Sequence, residues 1–116
     1  MEERQLVELL RQALSGMSVE DVERLVSSTS PAAYAAALLA EIPRRMGPLY
    51  SEKLVARILR REWRSLEPYL ASAPRALLLI KRARPDLAHV LARHPRWFNE
   101  FVKALYRALY KWAWGS

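Results

Sequence analysis

The chain has 116 residues, with 19 Lys and Arg against 12 Asp and Glu, a formal charge of +7 and no cysteine. At this size, scaling relations give roughly 6,500 Å² of folded surface against about 19,000 Å² unfolded, enough for one small core and not for two. A hydrophobic content of 52% with 27% charged residues, three Gly and seven Pro excludes wholesale disorder and fibrous or low-complexity classes, and the missing cysteine excludes disulfides and thiolate chemistry.

Apolar residues recur at steps of three and four almost throughout, and no stretch alternates between turn residues. The expected fold is therefore all-α: a single domain over 1–116, a compact bundle of about six to seven helices, with short proline-initiated helices in the C-terminal half. The first helix is predicted from Glu2 to about Ser15, with Leu6, Leu9, Leu10 and Ala13 on one side and Gly16 as its C-terminal cap. Ser18, followed by Glu20, Asp21 and Glu23, reads as an N-cap with an acidic first turn, opening a short helix that carries Val19, Val22, Leu25 and Val26. Ser30 and Pro31 open an Ala-rich third helix, expected to be well buried and to stop at Pro43. Arg44 to Tyr50, with Gly47 and Pro48, is the best internal loop.

Ser51 caps a fourth helix from Glu52 to about Leu66, ended by Pro68, and prolines at 74, 85 and 95 then open three more. Leu77, Leu78, Leu79 and Ile80 lie in a row, which a helix tolerates when it is surrounded, so that segment is placed centrally. The last helix spans Pro95 to about Trp114.

The charge is unevenly distributed. Residues 1–43 carry three Arg against seven acids, a net of −4, whereas residues 44–116 carry sixteen Lys and Arg against five acids, a net of +11. Such asymmetry points to nucleic acid or another acidic surface, unless the two halves neutralise each other. On the fourth helix the cations are focused. At about 100° per residue from Leu54, the residues Lys53, Arg57, Arg60, Arg61 and Arg64 occupy an arc of roughly 240° to 340° that contains no acid. Like charges four residues apart, such as Lys53 with Arg57 and Arg60 with Arg64, each destabilise an isolated helix by about 0.2 to 0.5 kcal/mol, so helix stability alone does not select them.

On the last helix, Phe98, Phe101, Val102, Leu105, Ala108, Leu109 and Trp112 form a core face. Opposite them Lys103, Arg107 and Lys111 make a ladder, with Tyr110 and Trp114 beside it, and cations interleaved with rings suit nucleic acid because rings stack on bases while cations meet phosphates. The aromatic candidates for stacking or interface contact are Trp63, Trp97, Tyr110 and Trp114, each with core packing as the plainer alternative. Arg outnumbers Lys by 15 to 4, which suits bidentate phosphate contacts, but one Asn and two Gln also fit the thermophile profile.

No catalytic constellation emerges, and an enzyme is not expected. His89 and His94 stand five apart, with no Cys or third His to complete a metal site, and no glycine-rich phosphate loop exists. Neither cofactor nor metal is expected. The functional expectation is a small cytoplasmic nucleic-acid-binding protein, DNA- or RNA-binding, that holds the phosphate backbone with little sequence selectivity, because no Asn or Gln accompanies the cations to read base edges. The alternative is a helical accessory subunit or adaptor of a larger complex, docked on an acidic protein surface, with homo-oligomerisation as a variant. Membrane contact is not expected: no apolar run is long enough to cross a bilayer, no basic-then-apolar leader opens the chain, and the apolar face of the last helix is needed for folding.

Overall fold

In the computed structural model, which describes residues 1–115, seven helices follow in chain order: α1 (Glu3–Ala13), α2 (Val19–Ser28), α3 (Pro31–Met46), α4 (Glu52–Leu70), α5 (Ala73–Ala83), α6 (Pro85–Ala92) and α7 (Pro95–Trp114). Ser116 lies outside the described residues. No strand occurs among those described, as the periodicity requires.

Helix starts follow the predicted chemistry. The Ser18 hydroxyl accepts the Asp21 N–H at 3.1 Å while the Asp21 carboxylate accepts the Ser18 N–H at 2.9 Å, a reciprocal capping box. Ser30, Ser51 and Ser72 each accept an N–H from the first turn of α3, α4 and α5. Helix ends depart from expectation. α1 ends at Ala13, and Gly16 is not its left-handed cap; Gly47, at φ 88°, is the one glycine in that region, where the chain turns from α3 toward α4. Pro43 does not stop α3 and Pro68 does not stop α4. A proline removes a single backbone bond near a helix end, and each final turn has other support: Glu41 meets Arg44 and Arg45 at 3.4 and 3.9 Å, while Tyr69 packs against the Leu6–Val7–Leu79–Ala83 cluster.

The core has two parts. Val22, Leu87, Val90, Leu91, Phe98 and Val102 form the larger cluster, to which α6 contributes three side chains. Leu6, Val7, Leu79 and Ala83 form the smaller. α5 lies between them, touching α1, α4, α6 and α7, which is the central position that its apolar row implied. The row is not wholly enclosed, however, because Leu78 is 61% exposed. Arg84, at the α5–α6 junction, ties these helices to the α1–α2 turn: its guanidinium donates to the carbonyls of Leu14 and Met17, and to both carboxylate oxygens of Asp86 at 3.1 and 3.0 Å.

The third helix corrects a larger expectation. α3 packs chiefly on α7, and only Ala35 is buried, while Ala32, Ala33, Ala36, Ala37 and Ala40 face outward. High Ala content made it look like a core helix, but Ala is also the strongest helix former. The folded surface is 7,911 Å², above the value expected from size.

Candidate nucleic-acid interface

α4 buries Val55 and Trp63 and packs on α7 and α5, so the cationic arc on its far side has to point to solvent. Lys53, Arg57, Arg60, Arg61 and Arg64 are all exposed. Among the described residues only Arg61 has an ion-pair partner, Glu62, at 3.4 Å, and the other four have none. Glu62 sits outside the arc and is engaged elsewhere: the Met1 ammonium lies 3.1 Å away and, with a smaller effect of Arg61, holds its carboxyl below the ordinary carboxylate range.

Mutual neutralisation of the two halves therefore does occur, but away from this arc. Glu3 pairs with Arg82 of α5 at 2.9 Å and Glu23 with Arg93, beyond α6, at 3.5 Å. Glu8 and Asp21 are held by Arg11 and Arg24 of their own helices. The paired acids of α1 and α2 are thus used within those helices or on Arg82 and Arg93, and most of the cations left without an acidic partner lie on α4 and α7.

Packing sets α7 beside α4. The Glu67 carboxylate accepts both the Trp63 indole N–H at 3.1 Å and the Tyr106 hydroxyl at 2.9 Å, and the Trp63 ring meets Tyr106 and Tyr110 edge-on at 5.7 Å. Rising numbers on α4 meet falling numbers on α7, so the two run antiparallel. The hydrogen bond to Glu67, with burial and the carboxylate charge adding to it, pushes the Tyr106 hydroxyl above its ordinary pKa. On the other flank of α7, Trp97 stacks on Phe101 at 5.4 Å, donates its N–H to the Thr29 carbonyl at 2.9 Å, and Tyr34 of α3 closes the cluster.

These seams divide the aromatic candidates. Trp63, 7% exposed, and Trp97, part-buried with its N–H satisfied, are packing residues and are unavailable to stack on a ligand. Sequence spacing could not distinguish them: Trp63 stands three residues from Arg60 just as Tyr110 does from Arg107 and Trp114 from Lys111. Tyr110 and Trp114 remain open, at 48% and 47% exposure. Lys103, Arg107 and Lys111 are exposed along the outer face of α7, Lys103 with Glu100 at 3.8 Å. The seam thus brings the α4 arc and the α7 ladder onto neighbouring helices, which separate readings of each helix did not establish.

Two open clefts flank this region. One, of about 710 Å³, is lined by Glu20, Glu23, Arg24, Ser27, Arg93 and His94, a set of mixed sign. The other, about 230 Å³, lies between the start of α3 and Lys103 and Arg107 of α7. Among the described residues no three His, Cys, Asp or Glu side chains are grouped to hold a metal ion, and no helix is long and apolar enough to cross a membrane. Comparison with protein families, with characterised proteins and with solved structures finds no match to the chain.

Proposed function

We propose that this protein is a non-catalytic nucleic-acid-binding domain that grips the phosphate backbone with little sequence selectivity. The observation that carries the reading is the α4 arc: five exposed cations on one face, four of them without an acidic partner although the chain spends other acids on pairing Arg82 and Arg93. Unpaired, closely spaced guanidinium groups repel one another in the free protein, and an anionic polymer relieves that repulsion while releasing its counterions.

The test is a titration against nucleic acid at several salt concentrations. If the five α4 cations each meet a phosphate, log affinity falls against log salt with a slope of about −4.5 on duplex DNA and about −3.5 on a single strand. Reversing Arg57, Arg60 and Arg64 together to Glu abolishes retardation at physiological salt and leaves the helical spectrum intact, since all three are exposed. A flat salt dependence, or binding that survives the reversal, refutes the proposal.

A second reading, an accessory subunit of a larger complex, draws on a different surface. The outer Ala face of α3 is uncharged across three turns, and Leu49 beyond its end is 88% exposed. Failure of the purified protein to retard any nucleic acid until a protein partner is added distinguishes this reading.

A further inference from the structure

The end of α7 contains a short repeat whose meaning emerges once the helix is placed. Lys103-Ala-Leu-Tyr106, Arg107-Ala-Leu-Tyr110 and Lys111-Trp-Ala-Trp114 are three consecutive tetrads, each opening on a cation and closing on a ring. A four-residue period on a helix of 3.6 residues per turn advances about 40° with each tetrad, so cations and rings form two parallel rows that wind slowly around the axis. The ring row begins inside the α4–α7 seam and winds out of it: Tyr106 is tied to Glu67, Tyr110 is half exposed while still touching Trp63, and Trp114 stands on the open face. The cation row lies on the outer side of the rings along its whole length, with all three members exposed.

Building on the nucleic-acid reading above, we propose that this face of α7 is a single-strand site, in which Tyr110 and Trp114 stack on successive bases while Arg107 and Lys111 meet the phosphates that adjoin them. The α4 arc, across the seam, continues the phosphate track. Two features argue for a single strand and against a duplex. Two large rings about 6 Å apart along the axis are exposed beside the cation ladder, and apolar area of that size gains nothing from solvent or from a phosphate backbone. In a duplex the base faces are already stacked, so exposed rings find no partner there, whereas each splayed base offers one.

The experiment compares labelled oligo-dT, oligo-U and a duplex of equal length, for the intact protein and for Trp114→Ala, Tyr110→Leu and Arg107→Gln. Trp114→Ala is the principal variant because it lies in the last helical turn, and Tyr110→Leu keeps apolar contact with Trp63; circular dichroism verifies that both fold. The expected result is tighter binding of the single strands than of the duplex, with each ring substitution weakening single-strand binding by roughly five- to 150-fold and leaving duplex binding unchanged. Arg107→Gln weakens both. The dT and U arms tell DNA from RNA. Equal or tighter duplex binding, or ring variants that bind single strands as before, overturns the single-strand site while leaving the backbone-binding proposal standing. No binding to any nucleic acid overturns both, and capture on phosphatidylserine vesicles that persists in high salt and displaces oligo-dT reassigns the face to a membrane surface.

Discussion

Glu67 shows how much a single side chain decides here. Its carboxylate receives two donors, the Trp63 indole and the Tyr106 hydroxyl, from the two helices that carry most of the free positive charge. Tyr106 and Tyr34 both have raised pKa values, the first because its proton is held by Glu67 and the second because burial disfavours the phenolate. Ultraviolet titration is expected to show Tyr106 and Tyr34 ionising above the ordinary value near 10. Glu67→Gln lowers Tyr106 toward that value and leaves Tyr34 in place. Because the folded-state pKa is raised, the stability linked to Tyr106 is fully present at neutral pH, below the unfolded pKa, and is lost as pH rises through the folded one. Alkaline unfolding in the wild type therefore has a component that Tyr106→Phe removes. No sequence pattern marked this link, since Glu67 and Tyr106 stand 39 residues apart and meet only through packing.

Helix by helix, starts were legible, whereas the ends of α1, α3 and α4 were not. A Ser cap is a local event, decided by one hydroxyl and an N–H three residues on, and so it can be read from the chain. Pro43 and Pro68 fail as stops because a lost backbone bond near a helix end is offset by other contacts, the Glu41 pairs with Arg44 and Arg45 in α3 and the packing of Tyr69 against distant residues of α1 and α5 in α4. The apolar row of α5 makes the same point more sharply. Leu78 and Leu79 are adjacent and chemically identical, yet Leu79 is buried against α1 and Leu78 is 61% exposed. Leu79→Ala is expected to cost about 2 to 5 kcal/mol in denaturant unfolding, and Leu78→Ala to change stability by no more than about 0.5 kcal/mol. Equal losses at the two positions would contradict this packing.

Taken whole, the molecule separates its charges. Acids of α1 and α2 hold Arg82 and Arg93, while the α4 arc and the outer face of α7 keep cations with few acids beside them. With a net +7 and this concentration of like charge, self-repulsion outweighs exposed pairing, which contributes little in water. Raising salt from low to physiological strength, where the screening length shortens to about 8 Å, should accordingly raise the thermal midpoint of the free protein. A lower midpoint under the same change would mean that the surface ion pairs dominate.

The sequence by itself determined the all-α class, a count of about six to seven helices, the serine N-caps, the α4 arc and the α7 ladder, because each depends on residues within a few turns of one another. Tertiary structure alone decided which aromatics are packed away, where the N-terminal acids find their partners, and that α4 and α7 lie side by side. Those outcomes turn on which apolar faces fit together, a property of pairs of helices that no single helix's periodicity contains.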